Sequence, residues 1–537
     1  MASNGFESQL GEPTLEAITA AMSRGDRAQA LELAATILQA FAHTALLRSI
    51  REALARETGA SPGPSATPEI LRRLGGQLAR SGHLPDAQLA LEAALVIEPD
   101  AFRACMDAGT VAFMQAQLPR ARSHFERAAA LKPDDVEPLA TLAAVAAREQ
   151  RHADARALAL RALALRPDLV TAHMAIARAD LLEGFADRAE ARMTQLLATP
   201  GLNDAQRVGA LDLRADARDA TGDAAQAFAD YAARNAILER GYAPRIAAEL
   251  RERRIDEARR LAAWFRSAPP DSWRVPRDPD RVRPVREHAF LLGFPRSGTT
   301  LLEKALAGHP QVTTLEERDV LSETGAQWLA DDAALRSLAA LPDAQADALR
   351  QTYWRGVGTA AGTDLTGRVL IDKLPLHTVS LPLIARLFPD ARVLFALRDP
   401  RDVVLSCFRR RFQINAAMFE FLTLDGAAAY YDAVMTLAAL YRERLPLAVH
   451  EVRHESLVSD FDAEMKRVLS FLRLDWDPGV REFADRARRR AITPSDLQVA
   501  RGLNADGIGQ WRRYAAPLAA VRDRLDRWAA EFGYAAS

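Results

Sequence analysis

The chain has 537 residues, more than one ordinary domain holds at roughly 150 residues each. With 49% hydrophobic and 26% charged residues it has a globular balance, and a formal net charge of −1 offers no overall field for nucleic acid or an anionic membrane, although it leaves room for a local basic site. Two cysteines, Cys105 and Cys407, exclude a disulfide scaffold and a multi-cysteine metal site.

The segment Met1–Pro13 has neither a basic start nor an apolar stretch, and no run of about 18 apolar residues follows anywhere. The sequence therefore predicts no signal peptide, no membrane span and a cytoplasmic protein. Residues 1–57 read as a helical segment with a degenerate repeat at 15–48. The run Gly-Ala-Ser-Pro-Gly-Pro-Ser-Ala-Thr-Pro at 59–68 breaks the helical texture as a linker. Beyond it, Pro99, Pro133 and Pro167 recur every 34 residues, and Ala87, Ala121, Ala155 and Ala189 keep the same step. Each block reads as helix, turn, helix and "Leu-x-Pro-Asp" or its Ile variant, with small Ala where helices cross and Pro to end the second helix. The period resembles the tetratricopeptide repeat. We expect an array over 68–265, with a fourth repeat at 169–201 and a looser one at 207–240. Stacked repeats present a concave surface for a partner, either a protein or peptide or a second copy of the chain.

A second linker is expected at 266–285, where five prolines fall between 268 and 285. After it, short apolar runs alternate with helical patterns, which predicts parallel strands with helical crossovers in a domain spanning 286–537. The run Ala289–Leu292 reads as its first strand. Gly293-Phe-Pro-Arg-Ser-Gly-Thr-Thr300 follows and leads into the helical pattern Leu301–Leu306. Strand, tight loop and helix is the setting of a phosphate cradle, with backbone N–H groups at the helix start facing the anion. Gly293 and Gly298 permit the turns, Arg296 adds a permanent cation, and Ser297, Thr299 and Thr300 offer hydroxyls. The spacing is that of the nucleoside triphosphatase P-loop, but Thr299 stands where that motif has lysine. The substitution argues against ATP or GTP and for a nucleotide with one 5′-phosphate joined to a leaving group.

A second compact strand is expected at Ala391–Leu397. It leads into Arg398-Asp-Pro-Arg-Asp402 and a helix carrying Ser406, Arg409, Arg410 and Arg411. Arg398 at a strand end and Ser406 two turns later can converge on one phosphate, which the guanidinium grips as a planar fork.

Together Pro295–Thr300 and Arg398…Ser406 resemble the 5′-phosphosulfate and 3′-phosphate motifs of sulfotransferases. The whole chain is similar to bacterial tetratricopeptide-repeat sulfotransferases. Leu301-Leu302 and Gly308-His-Pro-Gln-Val312 resemble the tyrosylprotein sulfotransferase branch. The resemblance covers about 286–537 and implies a P-loop-like α/β domain with a central parallel sheet behind an α-solenoid. It implies 3′-phosphoadenosine 5′-phosphosulfate (PAPS) as co-substrate, no metal, and binding of that donor by Arg296, Ser297, Gly298, Thr299, Thr300, Arg398, Ser406, Arg410 and His454. It implies Glu317, second of the pair Glu316-Glu317, as the base that deprotonates an acceptor hydroxyl. It places Lys373 of Asp372-Lys-Leu-Pro375 on the sulfuryl group, and Ser495 beside it. Arg296 and Lys373 would stabilise the leaving phosphate. Two positions depart from the family. Gln510 stands for a nucleotide-contacting lysine, and His454 for a tyrosine.

The expected acceptor is tyrosine in a protein or peptide. A carbohydrate, a lipid or a small phenol is the alternative. A repeat scaffold that binds nucleotide without turnover, and a phosphoryl-transferring P-loop enzyme, are the rivals from other classes.

Overall fold

A computed structural model describes residues 12–40, 45–58, 63–269, 273, 283–490 and 502–534. The chain divides into two compact units, residues 1–221 and 222–537.

All regular structure described in the first unit is helical. Antiparallel pairs run Thr67–Arg80 with Leu84–Ile97, Phe102–Met114 with Leu118–Leu131, Val136–Arg148 with His152–Leu165, and Val170–Leu182 with Ala186–Ala198. The first helices of successive pairs start at Phe102, Val136 and Val170, in steps of 34. Ala87, Ala121, Ala155 and Ala189 are fully buried at the crossings. At Gly109 even a methyl group is too large, since a Cβ there would lie 2.5 Å from the Phe125 ring. The second helices end two residues before Pro99, Pro133 and Pro167, where a pyrrolidine cannot follow a helical residue. The turn inside each pair needs one left-handed residue. Gly82 and Gly184 supply it without strain, whereas Ala116 and Gln150 adopt it at φ 60°. Of the linker at 59–68, residues 59–62 lie outside the described residues.

The first helices of the second unit are Ala224–Glu249 and Arg254–Ser267, in a stretch expected to continue the repeats. Buried polar groups explain the boundary. Arg234 Nη1 donates to Arg409 O at 3.0 Å, and Asn235 Nδ2 donates to Phe408 O at 3.0 Å. These bonds satisfy terminal carbonyls of the helix Pro400–Arg409. Phe228 stacks on Phe408 with centroids 4.9 Å apart, and Phe265 meets Tyr441 edge-on at 4.8 Å. Most of the linker expected at 266–285 lies outside the described residues, but Trp273 is buried and stacks on Phe265.

Five parallel strands form one sheet: β1 (Glu287–Gly293), β2 (Val312–Glu316), β3 (Val369–Lys373), β4 (Arg392–Leu397) and β5 (Ala448–Arg453), in the order β2-β3-β1-β4-β5. β1 and β3 are buried throughout, as covered parallel strands require, and each holds an apolar run, Ala289–Leu292 and Val369–Ile371. On one face Ala289, Leu291, Ile371 and Leu394 join a core with Leu302 and Leu306 of the helix Thr299–Leu306 and with Met465 and Val468 of Phe461–Phe471. After β1 the chain moves to the β3 side, and after β3 it crosses to β4 on the other side. Ligands of open α/β sheets bind at such a switch, beyond the carboxyl ends of the strands.

Candidate active site

The site is built from those strand ends. β1 closes on Gly293 at φ 145°, where a Cβ would lie 2.6 Å from Ala396 O of β4. The N–H of Gly293 donates to the buried hydroxyl of Thr378 at 3.1 Å, which fixes the entrance of the loop to the segment after β3. Arg296 then takes a left-handed conformation at φ 72° and Gly298 another at φ 95°. Gly298 caps the helix Thr299–Leu306, and having no side chain it makes no cap hydrogen bond to the helix's first N–H groups. A helix start left in this way is a ready anion site. Ser297 and Thr299 are buried within the turn, while Thr300 is partly exposed.

Three guanidinium groups gather at this turn. Arg296 Nε donates to Ser406 Oγ at 3.1 Å, and Arg398 Nη1 donates to Arg296 O at 3.0 Å. Burial, and then the charges of Arg410 and Arg398, pull Arg296 down to about 10. Arg398 also reaches Gly507 O through Nη2, while its buried Nε has no hydrogen-bond partner among the described residues. Ser406 and Arg398 were expected to meet on one phosphate. In the structure each of them is hydrogen-bonded to Arg296. The helix Pro400–Arg409 ends before Arg410, so Arg410 and Arg411 lie beyond the helix expected to carry them.

His454 follows β5 and lies against the loop, its Nδ1 2.7 Å from where a Gly298 Cβ would stand. That nitrogen is buried without a hydrogen-bond partner among the described residues, and burial with the charges of Arg398 and Arg296 holds the imidazole down to about 3, hence neutral. Gln510, where a lysine was expected, accepts from Arg409 Nη1 at 2.9 Å, so a cation stands one hydrogen bond behind it. Asp402 fastens this C-terminal segment by accepting from Gly509 N at 2.6 Å and Trp511 N at 2.9 Å. Ser495 lies outside the described residues.

At the other end of the crevice, β2 and β3 pair Glu316 with Lys373. Glu317, one residue past β2, turns left-handed at φ 54° and donates its N–H to Lys373 O at 3.2 Å. The turn brings its carboxylate back to Lys373, whose Nζ donates to Glu317 Oε1 at 2.6 Å. Lys373 is 3% exposed and Glu317 57%, so the pair runs from the floor of the site to its mouth. Glu316 turns away and binds Lys304 Nζ at 2.7 Å. Beneath Lys373, Asp372 is fully buried and accepts from Tyr353 Oη at 2.8 Å.

The loop thus fits a phosphorylated nucleotide by three features: an uncapped helix start, crowded guanidinium groups, and a glycine position that any side chain would fill. The sequence reading missed Glu303, Thr378, Arg234 and Asn235. Only Glu303 left a signal. Helical spacing puts it one turn after Thr299 and one turn before Leu306, on a buried face where a carboxylate is out of place.

Residues 289–478 match the sulfotransferase family. The second unit therefore contains a sulfotransferase-family domain, and the chain joins it to a helical repeat array. A Danio rerio protein, protein-tyrosine sulfotransferase 1, is 27% identical over 234 residues, 41% of this chain and 64% of that protein. An uncharacterised protein of Aquifex aeolicus (strain VF5) is 25% identical over 254 residues, 46% of this chain and 33% of its own length. The chain thus spans less than two thirds of either relative. A solved structure, the sulfotransferase domain from the Synechococcus PCC 7002 olefin synthase, is 23% identical with a TM-score of 0.35, covering 49% of this chain and all of that one.

Proposed function

We propose that the second unit transfers a sulfuryl group from PAPS to an acceptor hydroxyl, and that the acceptor is tyrosine in a protein or peptide. The observation that supports this most is the Lys373–Glu317 pair at 2.6 Å on the same strand-end edge as the arginine-lined loop. A cation for the leaving oxygen and a carboxylate for the acceptor proton thus share one crevice.

PAPS supplies an activated sulfur whose bond to the bridging phosphate oxygen breaks as the bond to the acceptor oxygen forms. The protein's part is charge and position. The loop N–H groups with Arg296, Ser297, Gly298, Thr299 and Thr300 hold the 5′-phosphate. Arg398, Ser406 and Arg410 read the 3′-phosphate, and His454 borders the loop as a neutral ring. Lys373 and Arg296 neutralise charge gathering on the leaving phosphate, with Ser495 assisting. Glu317 takes the acceptor proton. The products are a sulfate ester and adenosine 3′,5′-bisphosphate. The repeat array selects the polypeptide that carries the acceptor.

The test is transfer of label from PAPS by the purified chain to tyrosine peptides, sugars and small phenols. Label on tyrosine supports the proposal, and Glu317→Gln should lower kcat by about 100- to 10,000-fold. Label on sugars or phenols alone overturns the tyrosine assignment. Tight binding of adenosine 3′,5′-bisphosphate without turnover supports a nucleotide-binding scaffold instead.

A further inference from the structure

Lys373 has a second carboxylate partner. Glu303, on the helix that follows the phosphate loop, places Oε2 3.1 Å from Lys373 Nζ, and the two side chains are 1% and 3% exposed. The other oxygen, Oε1, is buried with no hydrogen-bond partner among the described residues. A half-satisfied buried carboxylate is costly, and such groups cluster at functional sites. Lys373 is therefore held from below by a buried anion and from above by an exposed one.

We infer that Glu303 is a positioning residue for the transfer reaction: it holds the Lys373 ammonium at the floor of the crevice so that the ammonium can exchange Glu317 for the donor. The inference rests on the functional reading above. Lys373 spends a donor on Glu317, the group assigned to receive the acceptor proton. When that donor turns to a leaving oxygen, Glu317 is released for the acceptor. Glu303 supplies what stays constant through the exchange. Without it the ammonium is a buried cation whose sole carboxylate partner is Glu317, and the base stays occupied.

The charge state of Glu303 is poised for this role. Burial lifts it to about 7 against the opposing pull of Lys373. The charged groups that face it are Lys373 on β3, Lys304 on its own helix, Glu316 at the end of β2 and, through Lys373, Glu317. Protonation near neutrality would loosen its grip on the ammonium, so kcat should fall on the acid side of about pH 7.

The experiment compares pH–rate profiles of the wild type and Glu303→Gln with PAPS and a labelled acceptor, and measures adenosine 3′,5′-bisphosphate affinity by calorimetry. The expected result is a wild-type acid limb in kcat between about pH 6 and 8. In Glu303→Gln that limb is displaced and kcat is about 10- to 100-fold lower, the usual scale for loss of a supporting partner. Nucleotide affinity should stay within about threefold, because Glu303 faces the lysine and not the arginine cluster. A purely structural role would not move the acid limb. An unmoved profile in an active Glu303→Gln overturns this inference alone. So does a wild type with no acid limb in that range, a result that holds even if the variant does not fold. A wild type that transfers nothing overturns the functional reading and this inference with it.

Discussion

Replacing Glu303 by Gln should change how stability depends on pH, and the size of the change follows from the burial of the carboxyl. Glu303 titrates near 4.5 in the unfolded chain and near 7 in the folded one. Between those values the folded state holds a proton that the unfolded state has released. The stability it contributes is therefore complete below about pH 4.5 and is lost as pH rises through about 7. The gap of roughly 2.5 pH units, at about 1.4 kcal/mol each, comes to about 3 kcal/mol. Glutamine has no such titration. The pull of Lys373 is already contained in the folded-state value, so the stability difference should move by about 3 kcal/mol in the variant's favour between pH 4.5 and 8. Burial also raises Asp372 and Asp402, but these are common to both proteins and cancel in the difference. Urea unfolding followed by tryptophan fluorescence is the assay. All seven tryptophans, Trp264 to Trp528, lie in the second unit, so the signal reports that unit alone. Parallel wild-type and variant curves across the window would refute the reasoning, because they would mean that Glu303 ionises as an exposed carboxyl does.

Ala116→Gly and Gln150→Gly should each stabilise the repeat unit by up to about 1 kcal/mol in thermal unfolding. They remove a left-handed side chain worth roughly 1–2 kcal/mol against a smaller entropy cost. Gly298→Ala should weaken adenosine 3′,5′-bisphosphate binding by at least about tenfold in calorimetry, since its Cβ meets His454 Nδ1 at 2.7 Å. A second change, His454→Ala, should restore part of that affinity, and no recovery would locate the defect in the backbone alone. Asp402→Asn should release one of the two N–H groups of Gly509 and Trp511, at a cost of about 1–3 kcal/mol. Faster amide exchange confined to residues 507–514 is the signature to seek.

The repeats were legible because a period is a property of sequence. Ala121 and Pro133 sit where packing and helix termination require, whatever surrounds them. The strands were legible for a related reason, since a buried parallel strand must be apolar on both faces. What escaped was pairing across distance. Nothing in residues 224–249 shows that Arg234 and Asn235 bond to carbonyls of Phe408 and Arg409, so an Ala-rich helix read as more array. Glu303 escaped for the same reason. Its meaning lies in Lys373, 70 positions later. The joining of Arg398 to Ser406 through Arg296 escaped because geometry, not spacing, decides which cation turns inward.

Backbone strain ties the two halves of the crevice together. Among the described residues, besides the repeat turns and Arg473, the non-glycine residues at positive φ are Arg296 and Glu317. Each follows the carboxyl end of a strand, and each carries a side chain assigned to opposite sides of the transferred group. A residue held there costs about 1–3 kcal/mol and persists only where its surroundings fix it. Here the fixing bonds are visible. Arg398 donates to the carbonyl of Arg296, and the carbonyl of Lys373 accepts the N–H of Glu317. The residues that hold the strained backbone are thus themselves assigned to the donor's phosphates and to the sulfuryl group. Placement of the proposed base therefore depends on a residue assigned to the donor, and the single backbone bond from Glu317 N–H to Lys373 O links the donor side of the crevice to the acceptor side.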